Sequence, residues 1–214
     1  MSHLHLPDGI LPLWLVLSGW ALAMIFLGLA SFKTREGELR LARLGFLAAL
    51  MIVAMSLELL PLAYHLNLGV LAGILLGPAL GFLAAFLVDL ILALLGHGGI
   101  TVLGLNALIL GLEIFLGNLL FRGACRLGIP PPPAAAGATV FSLFCSTSLM
   151  VLVVRLSKTA PSAILEHQPV PHFHAFLLLV YGLGSLGWLL EAALTAGIVR
   201  YLSRLRPAFL EDSC

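Results

Sequence analysis

The chain has 214 residues, of which 61% are hydrophobic and 10% charged, whereas an ordinary soluble domain carries roughly 25% charged residues. That leaves too little polar surface to cover a particle in water, and a formal net charge of +1 offers no basic field for nucleic acid. The composition calls for an all-α integral membrane protein in which the few charges carry information by position.

At the N-terminus, Met1 to Gly9 lacks a basic stretch before the first apolar run. That run is too long for a signal-peptide core, so the segment reads as retained. A bilayer core needs about 20 apolar residues per helix, and Ile10 to Phe32 and Leu44 to Tyr64 each supply them. Leu68 to Gly96 would span roughly 43 Å as one helix, too long for one crossing and short for two. Gly77-Pro78 is a candidate break inside it, yet Gly69, Gly73, Gly77 and Gly81 recur every fourth residue and would lay a smooth stripe on one helix face. Val102 to Phe121 follows. Pro130 to Pro133 reads as a stiff polyproline connector, and Ala134 to Leu156 and Ala175 to Leu202 complete the spans. Cys125, Cys145 and Cys214 have no CxxC spacing. They suggest neither a disulfide framework nor a thiolate cluster, and the first two read as packing residues.

Loops rich in Lys and Arg stay cytoplasmic. If Leu68 to Gly96 crosses twice, nine basic residues lie inside and only Arg155 and Lys158 outside; if it crosses once, the split is six against five. The expectation is therefore a bundle of about seven transmembrane helices, N-terminus outside and C-terminus cytoplasmic. It forms one membrane domain over 1–214, with an external metal-binding segment at 1–9, the bundle at 10–206 and a cytoplasmic tail at 207–214.

This topology puts all the histidines, His3, His5, His65, His97, His167, His172 and His174, at the outer face. Neutral imidazole is a common ligand for Ni, Co, Cu and Zn, so a one-sided set points to external metal capture; histidines that simply favour the membrane interface are the bland alternative. A histidine at position two or three adds a chelate of α-amine, backbone amide and imidazole, which favours Ni(II), Cu(II) or Co(II) over Zn(II). Met1-Ser2-His3 offers it, as does Ser2-His3 if Met1 is removed.

Three motifs follow in order: Leu4-His5-Leu6-Pro7-Asp8-Gly9; His65 and then Ile74-Leu75-Leu76-Gly77-Pro78; and Gly98-Gly99-Ile100-Thr101-Val102-Leu103-Gly104-Leu105-Asn106. In these the chain resembles the CbiM/NikM family, the substrate-capture subunits of energy-coupling-factor transporters for cobalt and nickel. The C-terminal half matches loosely, through Glu191, with Ala192 where the family has glycine. The resemblance implies a seven-helix bundle whose N-terminus folds back into the outer mouth. Its metal ligands would be His5, through amide and imidazole, and His65. The family's amine ligand falls on Leu4, which is not N-terminal here. Either trimming exposes it, or His3 takes part, or translation begins at codon four, and the last is the expectation.

His97 and Asn106 suit a supporting role, holding a ligand histidine or the N-terminal loop by hydrogen bonds; an interfacial turn with a satisfied amide is the alternative. Glu166, His167, His172 and His174 form an external cluster that could recruit ions. Glu58, Asp89, Glu113 and Glu191 lie within spans, where ionisable groups are costly and functional by default, or lock helices together.

The function implied is the substrate-specific component of an ATP-driven importer of Co(II) or Ni(II) in the inner (plasma) membrane, with no resident cofactor and no covalent catalysis. The chain has no GxxxxGK[ST] loop. Its partners would be a transmembrane coupling subunit, cytoplasmic ATPase subunits and a small accessory membrane subunit. The rival readings are a stand-alone proton-coupled divalent metal carrier and an intramembrane metal-dependent enzyme, although HExxH and GxSxG are both missing.

Overall fold

A computed structural model describes residues 6–33, 38–57, 65–160 and 172–206. His3, His5, Glu58, Glu166, His167 and the tail 207–214 lie outside the described residues. The described residues fold into six helices without a strand: α1 (Leu13–Lys33), α2 (Glu38–Ser56), α3 (Gly69–Leu94), α4 (Leu103–Arg126), α5 (Pro131–Ser157) and α6 (Phe173–Leu205). All but α2 are long and apolar enough to cross a membrane. Large apolar side chains face outward, among them Phe32 at 74% and Leu178 at 77% exposure, as hydrocarbon surroundings permit.

The described residues thus hold six helices where about seven spans were expected, and the difference lies in α3. Helical geometry is interrupted only at Gly77 (φ 76, ψ 173), directly before Pro78. Only glycine adopts that backbone without a steric penalty, and Pro78 removes a donor that the continuing helix would need. The chain reverses there. The ideal Cβ position of Gly81 comes within 3.8 Å of Ala72 O and Gly73 Cα, and the rings of His65 and His97, which flank α3, are 6.3 Å apart. A straight helix would separate those two residues by about 48 Å. The limbs 69–76 and 78–94 therefore form a tight hairpin whose two ends share one face of the protein.

The glycine stripe and the break coexist because both limbs pack on α4. Gly73 lies against the Ile114 carbonyl and Gly81 against the Ile114 side chain. Asn118 Nδ2 donates to Gly73 O at 2.9 Å, which fastens the inner part of the first limb. Around this contact Met51, Met55, Leu71, Ile74, Leu110, Ile114 and Phe121 form one apolar cluster. A second joins Leu15, Ile109, Met150, Phe176 and Val180 with Leu6 from the N-terminal segment.

Two expectations need correction. The second span starts earlier than Leu44, because Glu38 to Arg43 already wind into α2, and the stretch 58–64 lies outside the described residues. Pro131 to Pro133 are not a connector but the first turn of α5, with only Pro130 (φ −55, ψ 146) extended; the first turn has no intrahelical use for its N–H groups, so prolines fit there. Cys145 is a free thiol.

The hairpin yields a stability contrast. In Gly73→Ala the new methyl meets the Ile114 backbone carbonyl, which cannot swing aside, while in Gly28→Ala it meets open space. Thermal unfolding in detergent should show Gly73→Ala destabilised by about 1–3 kcal/mol and Gly28→Ala within about 0.5 kcal/mol of the parent.

Candidate metal centre

The N-terminal segment is clamped into one end of the bundle, the end at which His65 and His97 lie. Leu6, fully buried, donates its N–H to Asn106 Oδ1 at 3.0 Å and accepts from Asn106 Nδ2 at 3.2 Å. The planar amide thereby presents an acceptor and a donor to one residue's backbone, as a neighbouring strand would. Gly99 N–H also donates to Leu6 O at 3.2 Å. Two residues on, the Asp8 carboxylate accepts from Ile100 N at 3.0 Å, Thr101 N at 2.8 Å and the Thr101 hydroxyl. A side chain at Gly99 would collide with Asp8, so the glycine is what lets the carboxylate reach the turn before α4. Thr159 Oγ1 donates to Ile10 O at 2.7 Å and closes the clamp from the end of α5.

His97 precedes Gly99 by two residues and stands beside this clamp. Its ring meets that of half-buried His65 edge to face, at 6.3 Å between centroids. The structure therefore brings together His65, His97 and Asn106 with the Leu6–Asp8 segment. Exposed His172 and His174 start α6 and do not join them: among the described residues no three His, Cys, Asp or Glu side chains gather closely enough to hold a metal ion. Two imidazoles contributed from here are an incomplete coordination set, and the adjoining histidines His5 and His3 lie outside the described residues.

Directly after His65 the chain dives into the bundle. Asn67, Glu113 and Glu191 are each 0% exposed, and they form one network. Asn67 Nδ2 donates to Glu113 Oε2 at 3.0 Å, and Ser146 Oγ donates to the same oxygen at 3.2 Å. Glu191 accepts the backbone N–H groups of Asn67 at 3.3 Å and Leu68 at 2.9 Å. Asn67 Oδ1 takes the Gly69 N–H at 2.7 Å. The parts that sequence reasoning left without a role are Asp8, Thr101, Asn67 and Ser146. Asn67 carried a signal, a lone amide between Leu66 and Leu68 at the mouth of an apolar run, and Asp8 and Thr101 stand in two of the motifs quoted above; Ser146 had none.

Asp8 is slightly desolvated, which by itself raises its pKa. The hydrogen bonds from the Thr101 hydroxyl and from the Thr101, Ile100 and Val102 amides outweigh this and hold the carboxyl below its ordinary value of 3.8. A depressed folded-state pKa means that the clamp's contribution is complete above the unfolded value, about 3.9, and is lost as pH falls through the folded value. Deuterium exchange at the Ile100 and Thr101 amides, corrected for intrinsic rates, should stay slow and flat from pH 5 to 8. In Asp8→Asn it should quicken severalfold, because the bonds lose their charged acceptor at a place where solvent already screens it.

The sequence pattern of the cobalt uptake substrate-specific transmembrane region, CbiM, matches residues 5–209. A putative metal transport protein of Haloquadratum walsbyi is 31% identical over 95% of this chain and 92% of its own length. A putative fused nickel transport protein, NikMN, of Archaeoglobus fulgidus is 30% identical over 98% of this chain and 68% of its own. The cobalt transport protein CbiM of Geobacter sulfurreducens is 30% identical over 97% of this chain and 61% of its own. In fold the chain is similar to a crystal structure of a transition metal transporter, with a TM-score of 0.81 at 20% identity over 94% of this chain and 93% of that one. A truncated transition metal transporter gives 0.79 at 20% identity over 92% and 97%. With a family match that runs almost from end to end, this chain belongs to the CbiM family of substrate-specific transmembrane components of cobalt uptake.

Proposed function

We propose that the protein captures Co(II) or Ni(II) at its outer face, with His5 and His65 as the ligands, His3 as a further donor, and His97 and Asn106 in support. The observation that carries this reading is the clamp. Leu6 and Asp8 are fastened beside the His65–His97 pair, and His5 is one Cα step, about 3.8 Å, from Leu6. A backbone amide, an imidazole and His65 from the bundle would give the nitrogen-rich set that suits Ni(II) or Co(II). Asn106 then holds the ligand segment through its backbone, the kind of outer support that metal sites need.

The bundle would set seven helical segments in the inner (plasma) membrane, counting the limbs of α3 as two, of which the first is short, about 12 Å, and re-entrant, with the N-terminus outside and the C-terminus in the cytoplasm. The distribution of basic residues supports that orientation. Energy would come from separate ATPases through a transmembrane coupling subunit, with a small accessory membrane subunit beside them. The protein's own task is capture and release, without covalent catalysis. Co-purification of ATP-binding subunits separates this arrangement from a carrier that works alone.

Purified protein should bind about one Ni(II) or Co(II) per chain, the stoichiometry of a single nitrogen-rich site. His65→Ala should abolish binding, while His174→Ala keeps the stoichiometry and only slows uptake. Equal, mild effects of the two substitutions would defeat the assignment. A membrane-impermeant thiol label should reach cysteines placed near His97 and His172 from outside. It should reach those near Arg126 and Arg204 only after permeabilisation.

A further inference from the structure

We propose that Glu191, far along the sequence on α6, is the positioning residue of the His65 ligand. The inference rests on the metal-capture reading above and assigns a task to a buried carboxylate that capture itself does not use.

The argument begins with backbone chemistry. His65 stands three residues before the left-handed residue Leu68 (φ 57, ψ 20), which opens α3 without a side-chain cap of its own. The N–H groups at a helix start have no partner within the helix, and inside a bilayer no bulk water can take them. Both Asn67 and Leu68 are buried. The Glu191 carboxylate accepts one N–H from each. Asn67 is held a second time, through its side chain, by Glu113 of α4, which Ser146 of α5 steadies in turn. The segment that carries His65 is thus tied to α6 and α4, and through Glu113 to α5, by buried groups, and Glu191 takes the backbone N–H of two consecutive residues in it.

Asn67 is two positions after His65, at most about 7 Å of extended chain. Releasing the Glu191 bonds therefore lets the imidazole drift by more than the roughly 0.5 Å that a coordination site tolerates. A helix lock with no bearing on the ligand would instead affect folding and leave metal binding alone.

The test uses detergent-purified full-length protein. Glu191→Gln keeps the shape of the side chain but replaces one of its two accepting oxygens by an NH2 group that faces a backbone N–H. Ni(II) affinity by calorimetry should fall at least about tenfold, because one of the two backbone N–H groups loses its acceptor and is left unpaired in a buried place. Stoichiometry at saturating metal should be unchanged, and the Ni(II) visible spectrum should shift or broaden. Glu191→Asp, which keeps the charge one methylene short of one N–H, should be intermediate, and it decides the matter in the same assay if Glu191→Gln does not fold. Parent-like affinity and spectrum in a folded variant, with His65→Ala inactive in binding, would overturn the positioning role and leave the capture reading standing. If the parent itself binds no metal, or His65→Ala binds as tightly, the capture reading fails first.

Discussion

The constraint on which this structure depends is that hydrocarbon offers a backbone no hydrogen-bond partner. Regular helices satisfy themselves, so the demanding places are where the chain is not helical at membrane depth. Two non-helical stretches that need outside partners meet at one end of the bundle: the N-terminal segment around Leu6 and the stretch from His65 to Leu68. Each is satisfied by a few polar side chains set in otherwise apolar helices. Asn106 and Gly99 serve Leu6, Asp8 binds the turn before α4, and Glu191, Asn67 and Glu113 serve the start of α3. Buried polar groups of this kind cost free energy unless every member is paired. Their concentration around one mouth therefore marks where the fold spends stability on holding irregular backbone in place.

Close packing makes that mouth possible. At Gly19 and Gly104 the backbones of α1 and α4 approach so closely that a methyl on Gly104 would sit 2.7 Å from Trp20 N. Trp20 in turn donates its indole N–H to Thr101 O at 2.7 Å, in the same turn that Asp8 grips. The α3 hairpin, with its glycines against α4, brings His65 back to the face on which His97 lies. Without the reversal at Gly77 the two histidines would stand at opposite ends of a long helix.

Sequence disclosed the parts governed by composition. Lipid demands long apolar runs, so the first, fourth, fifth and sixth helices fall within a few residues of their expected limits: Ile10 to Phe32 against Leu13–Lys33, for example, and Val102 to Phe121 against Leu103–Arg126. The start of α2 escaped, because a charged amphipathic turn such as Glu38 to Arg43 does not differ in composition from a loop. The α3 region showed both a glycine stripe and a break, and these seemed to conflict until the hairpin gave each limb its own contact with α4. At the site, His65, His97 and Asn106 were legible as residue types placed near a mouth. Their partners were not: Leu6 and Asn106 are 100 positions apart, and Asn67 and Glu191 are 124 apart. No periodicity or spacing rule links such pairs.

The central claim is that the clamped N-terminal segment and His65 together hold the transported ion. Anomalous diffraction at the Ni or Co edge from metal-loaded crystals tests it most directly. The account predicts one strong peak about 2 Å from a ring nitrogen of His65, the usual metal–imidazole distance, and equally close to nitrogen atoms of the segment that precedes Leu6. A single peak between Glu113 and Glu191, or at His172 and His174 with none at His65, would contradict it.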